Sequence, residues 1–567
     1  MCAIAGMIGS KVSIEDTNVM LNAMSYRGPD NTDFYYDQGK AVLGHNRLSI
    51  IDLTKDANQP IMDSSGRYHL TFNGEIYNYK ELRAELKDKY QFHTNSDSEV
   101  LLYSFIEYGP SCLNKFNGMF AFAIWDSKEK SLFAARDRFG VKPFYYSITA
   151  KETFVFSSEI SALHEIGISK LPNDIVWANY FIHGSYGMPC ETFWKGIHQL
   201  EPGHYLVWSK NKVKFYQWYN LLNHFEEKPI NFKDALEKID FLVSDSIRLR
   251  LNTDVPLGIN LSGGLDSSML LHYNSQNEYK FENFESFTFY TGDDRYDELP
   301  WVQKLIEQYK HHSNFVHLSH HEVFDLSNFV SSYQVEPFGG IPTLAYFKVF
   351  QSASNKNIKV LMDGQGIDEV FLGYDYYLSL SNNIIQGTKE SPFRPELYNL
   401  QTEGGKPIFP QPFKEKHLNL QYRDICYTKL PRALRFNDRI SMANSVELRE
   451  PFLDYRLVEF GLSLPHLYKI NAGKGKRIIR DLMRDKLPSQ LNYAPKRVLQ
   501  TPQIEWMKGP LFNKIKGKIE CIKHTPYGGW FNWDLIEREL NRFNKLPAES
   551  SFHIWQLFNF SLIFADD

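Results

Sequence analysis

Apolar and polar residues alternate in short runs over roughly the first 210 residues. The apolar run from Met119 to Trp125 is followed by a polar turn, Asp126 to Lys130, and by a second apolar run, Ser131 to Ala135. Two β-prone runs around a polar turn predict a hairpin. A further strand is predicted at Phe154 to Phe156 and a helix at Ser98 to Tyr108. This part of the chain is therefore predicted to mix strands and helices.

The pattern changes after a polar stretch, Asn223 to Asn231, which has the composition of a linker. Apolar residues then recur at helical spacing, which predicts an amphipathic helix: Leu236, Ile239, Val243 and Ile247. Strands are predicted next at 258–261, 286–290, 315–318 and 358–362, with helices from about 267, at 299–309 and at 368–372. Such alternation indicates a parallel sheet covered by helices.

The rest of the chain, from about Lys414, is predicted to be mostly helical, with a terminal helix near Phe552 to Phe564. The segment from Gln386 to Lys416 is rich in Gly, Pro and Lys and is predicted to be a loop insertion. We find no internal repeat.

Composition excludes several classes of protein. The chain has 567 residues, 43% hydrophobic and 23% charged, which is ordinary for a globular protein of two or more domains. A net charge of -4 lacks the basic footprint of a nucleic-acid binder. No apolar run approaches the length of a membrane span, and no signal peptide is evident. The five cysteines show neither disulfide nor metal-ligand spacing, so we expect a cytoplasmic protein.

The chain begins Met1-Cys2-Ala3, and Cys2 is the first candidate for catalysis. A small second residue permits removal of Met1, which leaves Cys2 with a free α-amino group. That amine has an ordinary pKa of about 7.7–8.0 and can serve as the base for its own thiol. A cysteine at position 2 is by itself only weak evidence for a catalytic nucleophile.

Four polar clusters interrupt the strands of this half: Arg27-Gly28-Pro29-Asp30, Gly44-His45-Asn46-Arg47-Leu48-Ser49-Ile50, Phe72-Asn73-Gly74-Glu75-Ile76-Tyr77-Asn78 and Ser96-Asp97-Ser98-Glu99. Together they supply what amide hydrolysis needs. An arginine clamps a carboxylate, acidic residues hold an ammonium, and an asparagine beside a glycine N–H forms an oxyanion hole. Taken singly, each cluster is also compatible with a turn.

With Cys2, these clusters resemble the glutaminase domain of class II glutamine amidotransferases. The resemblance covers residues 2–210 and implies an α+β N-terminal nucleophile hydrolase with an αββα sandwich. It implies that Cys2 attacks the glutamine carboxamide and that Asn73 and Gly74 stabilise the oxyanion. The glutamine would be held by Arg47, Glu75 and Asp97. A small departure is Tyr26, where members of the family often have histidine.

The second half contains a glycine-serine turn between a predicted strand and a helix, Leu261-Ser262-Gly263-Gly264-Leu265-Asp266-Ser267-Ser268. Glycines let the backbone approach phosphates, and the N–H groups at the helix start attract anions. Asp266 can hold Mg²⁺. The turn lacks the Walker A pattern and resembles the pyrophosphate loop of enzymes that split ATP into AMP and pyrophosphate.

A second turn, Asp363-Gly364-Gln365-Gly366-Ile367-Asp368-Glu369, is predicted at the same edge of the sheet. A charged run follows, with Arg432, Arg435, Asp438, Arg439, Glu447, Arg449 and Asp454. Such a run is usually a solvated helix face, but here we favour a role in a site. Lys474, Lys476 and Arg477 come next, where a lysine could steady a pyrophosphate.

This half resembles the synthetase domain of the asparagine synthetases, and the two resemblances together cover nearly the whole chain. They imply a linker at 211–232 and an α/β pyrophosphate-loop ATPase domain with a parallel sheet at 233–567. ATP would adenylate a carboxylate, and ammonia from the first site would displace AMP after passing through an internal tunnel. The implied cofactors are ATP and Mg²⁺, with Asp266 and Asp368 as metal ligands. The implied ATP-binding residues are Asn260, Ser262, Gly263, Gly264, Asp266, Ser267, Ser268, Phe289, Asp363, Gly364 and Lys476.

The acceptor is less well defined, because Gln365 stands where many asparagine synthetases carry a glutamate in the acceptor or intermediate site. An amide does not titrate usefully and cannot act as a general base. Aspartate is the leading acceptor. The alternative is another carboxylate, such as a sugar acid of a surface polysaccharide. The segment Glu336 to Thr343 lies where the acceptor site is expected.

The sequence disfavours two other classes of protein. A lactam-forming synthetase needs no ammonia, so the intact set around Cys2 argues against it. An idle paralogue is disfavoured because both sites are complete. The expected partners are small molecules: glutamine, ATP and the acceptor. A homodimer is left open.

Overall fold

The structure is a computed structural model that describes residues 2–150, 152–227, 229–276, 284–382, 393–400, 407–494 and 501–565. Within these ranges, no helix combines the length and the apolar character needed to cross a membrane.

Two antiparallel sheets of six strands form the N-terminal unit. The first has the order β10-β8-β9-β1-β3-β2 and the second β12-β11-β7-β6-β5-β4. The strands are β1 Ala3–Ile8, β2 Asn31–Asp37, β3 Ala41–Arg47, β4 Ile61–Met62, β5 Tyr68–Ile76, β6 Gly118–Asp126, β7 Ser131–Arg136, β8 Tyr145–Ile148, β9 Phe154–Ser157, β10 His198–Gln199, β11 His204–Ser209 and β12 Lys212–Gln217. The helices are α1 Ile14–Ala23, α2 Tyr79–Leu86, α3 Asp97–Tyr108, α4 Cys112–Lys115, α5 Ile160–Glu165 and α6 Asp174–His183.

Alternation along β6 shows how the two sheets pack. Ala121, Ala123 and Trp125 belong to a core shared with strands of both sheets. Phe120 and Phe122, on the opposite face, pack in a second core with residues of α3. Because successive side chains of a strand point to opposite faces, one strand serves both layers. Helices α1 and α5 contact the first sheet and α3 contacts the second, so the predicted αββα sandwich is confirmed.

A parallel sheet of five strands, in the order β15-β14-β13-β16-β17, forms the centre of the C-terminal unit. Its strands are β13 Leu257–Asn260, β14 Glu285–Tyr290, β15 Ser313–His317, β16 Val360–Met362 and β17 Glu447–Arg449. The helices are α7 Phe232–Arg250, α8 Leu265–Ser275, α9 Leu299–Tyr309, α10 His320–Gln334, α11 Ile341–Asn355, α12 Ile367–Val370, α13 Asp375–Leu378, α14 Lys416–Cys426, α15 Lys429–Met442, α16 Tyr455–Ser463, α17 His466–Lys469, α18 Arg477–Leu482, α19 Ser489–Asn492, α20 Gln503–Lys508, α21 Phe512–Cys521, α22 Trp533–Lys545 and α23 Phe552–Phe564. The predicted parallel sheet covered by helices is confirmed.

Several predicted elements are confirmed closely, including the hairpin of β6 and β7, helix α9 and the terminal helix α23. Strand β12 lies inside the segment predicted as a linker and completes the second sheet. The predicted loop insertion at 386–416 lies partly outside the described residues; its described part contains one short 3-10 turn, Pro395–Leu397. Strand β17 falls in a region predicted to be mostly helical.

Buried charges join the two units. Arg27 forms ion pairs with Glu159 and, at 2.9 Å, with Asp438 of α15. Arg439, also on α15, lies 2.7 Å from Glu336 and donates to the Tyr145 hydroxyl at 2.7 Å. All of these side chains are almost fully buried. Because a buried charge is costly unless it is paired, this network favours one arrangement of the two units.

Candidate active sites

Cys2 precedes strand β1 and is buried, with 8% of its surface exposed. Its backbone N–H donates to Asn73 Oδ1 at 3.1 Å, and its thiol lies 4.0 Å from the Leu48 carbonyl oxygen. Burial raises the pKa of the Cys2 thiol, and the Arg47 guanidinium opposes this effect. Met1 lies outside the described residues, so its removal stays a prediction.

Asn73 and Gly74 lie near the end of β5, beside Cys2. Asn73 is fully buried, and none of the described residues accepts a hydrogen bond from its Nδ2. A buried amide donor without a partner is costly, so a ligand oxygen is a natural acceptor. Gly74 has a φ of 151°, and a Cβ there would lie 2.1 Å from the Met119 carbonyl oxygen. Only glycine fits at this position.

Arg47 and Asp97 lie on two elements that meet at the same site. The Arg47 guanidinium donates to the Thr54 carbonyl at 2.7 Å and to Asn58 Oδ1 at 2.8 Å, which fixes the loop after β3. Asp97 is the first residue of α3 and accepts a hydrogen bond from the Ile76 N–H at 2.8 Å. Burial raises the pKa of Asp97 to about 6. These groups could hold the two charged ends of an amino acid.

Glu75 meets a residue of the C-terminal unit. Its Oε1 lies 3.4 Å from Nη2 of Arg449, whose Nε in turn lies 2.6 Å from Oε1 of Glu447. Burial raises the pKa of Glu75 well above its usual range, and the Glu447 and Asp97 carboxylates add to the effect. The first site is therefore built partly from β17, which the sequence analysis did not assign to it.

The glycine-serine turn joins β13 to α8 as predicted. Gly263 has a φ of 72°, a conformation that favours glycine. The Ser262 N–H donates to Ser267 Oγ at 3.1 Å, and Ser268 Oγ donates to the Gly264 carbonyl at 2.7 Å. These bonds hold the turn open at the N-terminus of an eleven-residue helix, where backbone N–H groups favour phosphate.

Lys476 lies between the two predicted metal ligands. Its Nζ is 2.7 Å from Asp266 Oδ1 and 2.6 Å from Asp368 Oδ1. The lysine is 2% exposed and has a left-handed backbone with a φ of 59°. A Cβ on Gly373 would lie 1.9 Å from Asp368 Oδ1, so this glycine leaves room for the cluster. The sequence analysis named these three charged residues, and the structure brings them together.

The carboxylates of Asp266 and Asp368 are oxygen ligands of the kind that Mg²⁺ prefers, and the Lys476 ammonium lies between them. Among the described residues, no group of three or more His, Cys, Asp or Glu side chains is arranged to hold a metal ion. Mg²⁺ commonly takes one or two carboxylates and completes its shell with water and substrate phosphates. Asp266 and Asp368 match that mode of binding.

A cleft beside the cluster contains residues that the sequence analysis missed. Its lining consists of Ser262, Gly263, Gly264, Leu265, Asp266, Glu298, Trp301, Gly373, Lys476, Arg480, Leu491 and Ala494. Arg480 is the most informative addition, because it lies one helical turn after Lys476 and donates to the Gly475 carbonyl at 3.0 Å. The sequence signal for Arg480 was its position four residues after Lys476, because residues at this spacing lie on the same face of a helix.

The Asp363 turn lies at the carboxyl edge of the same sheet, where Asn260 ends β13 and Phe289 is the last residue but one of β14. The Asp363 N–H donates to the Arg449 carbonyl at 2.9 Å, and the Gly364 N–H donates to Asp363 Oδ1 at 2.7 Å. Burial raises the pKa of Asp363 to about 6, opposed by hydrogen bonds that include one with the Gln365 side chain. Gln365 thus has a local partner.

The charged run is not a solvated helix face, which agrees with the sequence-based interpretation, since Asp438, Arg439 and Asp454 are nearly fully buried between the units. The segment from Glu336 differs from its expected role. Glu336, in the segment expected to read the acceptor, is fully buried and accepts a hydrogen bond from the Phe193 N–H at 2.8 Å while pairing with Arg439. Its carboxylate serves the contact between the units.

Comparisons with known proteins agree with this two-part geometry. Residues 1–219 match the family model of the glutamine amidotransferase domain, and residues 238–565 match that of asparagine synthase. The chain is 28% identical to asparagine synthetase (glutamine-hydrolyzing) 3 of Bacillus subtilis, over 93% of this chain and 91% of that protein. It is 30% identical to asparagine synthetase (glutamine-hydrolyzing) 2 of the same organism, over 88% of this chain and 71% of that protein. It is also 25% identical to amidase chry2 of Gibberella zeae, over 94% and 92% of the two chains.

Proposed function

Because the chain belongs to the asparagine synthase family, we propose that it converts aspartate to asparagine with glutamine and ATP, releasing glutamate, AMP and pyrophosphate. One observation carries this proposal. Arg449 faces both sites, since its guanidinium contacts Glu75 and its carbonyl accepts from the Asp363 N–H at 2.9 Å. The two candidate sites therefore meet at strand β17, which supports a coupling between glutamine hydrolysis and amidation.

In the proposed first reaction, the Cys2 thiolate attacks the glutamine carboxamide. The α-amine released by removal of Met1 would accept the thiol proton. The unpartnered Asn73 Nδ2 and the backbone of Gly74 would donate to the oxyanion. Arg47 would hold the substrate carboxylate, and Asp97 and Glu75 its ammonium. The products are glutamate and ammonia.

In the proposed second reaction, the acceptor carboxylate attacks the α-phosphate of ATP and pyrophosphate leaves. Ser262, Gly263, Gly264, Ser267 and Ser268 would surround the phosphates, and Lys476 with Arg480 would steady the negative charge of the leaving group. Mg²⁺ held by Asp266 and Asp368 would neutralise phosphate charge when bound. Ammonia passing from the first site would then displace AMP from the acyl adenylate.

A second acceptor class is favoured by Gln365, which lies in the proposed acceptor region and shares a hydrogen bond with Asp363. An amide there suits recognition of a polar acceptor rather than proton transfer. One relative that matches 94% of this chain is named as an amidase and not as an asparagine synthetase, which supports a second candidate acceptor. A sugar acid is the runner-up acceptor.

A carboxylate screen separates these two possibilities. The purified protein is incubated with ATP, Mg²⁺, glutamine and single carboxylates: aspartate, uronic acids and nucleotide-linked sugar acids. Glutamine-dependent AMP release with aspartate, together with asparagine formation, supports the leading proposal. Saturable amidation of a sugar acid with no asparagine promotes the runner-up, and release of ADP with phosphate contradicts both.

A further inference from the structure

The turn that begins at Glu450 lies along the turn that contains Gln365. Strands β16 and β17 pair in parallel with Met362 opposite Arg449, so Asp363 and Glu450 leave the sheet side by side. A Cβ on Gly366 would lie 2.3 Å from Leu453 Cδ2 and 3.5 Å from the Phe452 carbonyl oxygen. The two turns therefore pack directly against each other at the carboxyl edge of the sheet.

Glu450 is a carboxyl group without a structural partner. It is 4% exposed, and none of the described residues donates a hydrogen bond to its carboxylate. The charged or titratable groups around it come from several elements: Lys142, Arg250, Asp363, Asp438 and Tyr77.

Burial and nearby charges together set the pKa of the Glu450 carboxyl. Burial raises the pKa of Glu450 to about 8, with Lys142 opposing and Asp363 and Asp438 adding to the effect. The Lys142 ammonium is itself held between the Leu448 carbonyl, at 3.4 Å, and Asp438 Oδ1, at 3.9 Å. A buried carboxyl with a strongly raised pKa marks a candidate functional group, and a base that titrates near neutral pH is well matched to proton transfer.

The amidation step requires such a base. When ammonia attacks an acyl adenylate, the nitrogen gains a positive charge and must lose a proton before the amide is stable. Gln365 cannot accept that proton, because an amide does not titrate usefully. The paired strands place Glu450 beside Asp363, whose carboxylate shares a hydrogen bond with the Gln365 side chain, so Glu450 lies next to the turn of the acceptor region.

We propose that Glu450 is the catalytic base of the amidation step, a role that rests on the proposed function. The ammonia lone pair forms the C–N bond, and the Glu450 carboxylate takes one proton from that nitrogen. The C–O bond to AMP then breaks, and AMP leaves with the electron pair. Glu450 returns its proton to solvent before the next turnover.

The test measures three reactions separately in the wild type, Glu450→Gln and Glu450→Asp. These are glutamine hydrolysis, carboxylate-dependent exchange of pyrophosphate into ATP, and amide formation from added ammonia. In Glu450→Gln we expect amide formation to fall by about 100-fold or more. Hydrolysis and exchange should stay within about threefold of wild type, because neither needs this base. Glu450→Asp keeps a titratable group and should recover part of the loss.

Glu459→Gln provides the matched control. Glu459 is a partly buried glutamate of the C-terminal unit, on α16, where it accepts a hydrogen bond from the Tyr219 hydroxyl at 3.0 Å. This variant should leave all three rates near wild type. Amide formation at the wild-type rate in Glu450→Gln would overturn the proposal, and so would an equal fall of all three rates, which indicates a structural role. If the wild type itself shows no exchange and no amide, the proposed function fails first.

Discussion

Arg449 Nη2 lies 3.4 Å from Glu75 Oε1, although the two residues stand in different units of the chain. The same arginine lies 2.6 Å from Glu447 and donates to the carbonyls of Arg250 and Asn252 at 2.7 and 2.8 Å. Its own carbonyl receives the Asp363 N–H at 2.9 Å. One residue of the synthetase part therefore supports both candidate sites.

We expect Arg449→Ala to impair glutamine use and to destabilise the protein. The change leaves Glu75 and Glu447 buried without their cation, a loss of about 3–5 kcal/mol for a buried pair. The KM for glutamine should rise, and Arg449→Lys should retain part of the function. Arg248→Ala, which removes an exposed pair with Asp245, is the control and should cost less than about 1 kcal/mol. Unchanged glutamine kinetics and unchanged denaturation in Arg449→Ala would refute the link.

Replacement of Cys2 by alanine separates the two reactions. Glutamine hydrolysis should fall at least about a thousandfold, because the nucleophile is gone. Synthesis from added ammonia should persist, since the second site accepts free ammonia. Mass spectrometry of the wild type should show that Met1 is absent. A Cys2→Ala protein that still uses glutamine, or a wild type that retains Met1, would rule out the assignment.

Asp266→Asn should abolish the ATP-dependent reaction and leave glutamine hydrolysis intact, the reverse of what is expected for Cys2→Ala. Asp266 shares the Lys476 ammonium with Asp368, and loss of its charge weakens the phosphate site by several kcal/mol, on the order of a thousandfold in rate. We expect AMP and pyrophosphate formation to disappear while glutamine hydrolysis continues without coupling. Normal pyrophosphate exchange in this variant would be incompatible with the assigned loop.

Glu450 also predicts a pH dependence of stability. Its pKa is raised to about 8 in the folded protein from an ordinary value of 4.5, so the folded state binds its proton more tightly than the unfolded state does. The carboxyl therefore lowers stability progressively as pH rises from about 4.5 to about 8. Glu450→Gln should stabilise the protein by about 2–4 kcal/mol at pH 8 and by much less at pH 5.5. Thermal melts at both values measure this, and an equal shift at both would contradict the environment described for Glu450.

Local chemistry made much of the molecule predictable from sequence. The strand, glycine turn and helix around Asp266 form one contiguous signal, whereas the αββα part was implied by the family resemblance that Cys2 and the four polar clusters carry. Lys476 was predicted as a phosphate ligand from its charge and position. Its contact with both Asp266 and Asp368 depends on tertiary packing and was not predictable.

Strand β17 and the buried ion pairs between the two units could not be predicted from the sequence, for physical reasons. Strand β17 has three residues, too few to show alternation, and it carries Glu447 and Arg449, whose charges are typical of a surface. Their burial depends on partners such as Glu75 that are hundreds of residues away. The segment from Glu336 to Thr343 was expected at the acceptor site from the family resemblance, and the pairing of Glu336 with Arg439 depends on tertiary packing that the sequence does not show.

The most direct test of the central claim follows the amide nitrogen. The wild type is given ATP, aspartate, glutamine labelled with ¹⁵N in its amide, and a large excess of unlabelled ammonium. If the two sites act as one enzyme, asparagine should carry ¹⁵N well above the fraction expected from mixing with bulk ammonium, with one AMP per asparagine. Asparagine labelled only at the bulk fraction, or AMP release without any asparagine, would contradict the account.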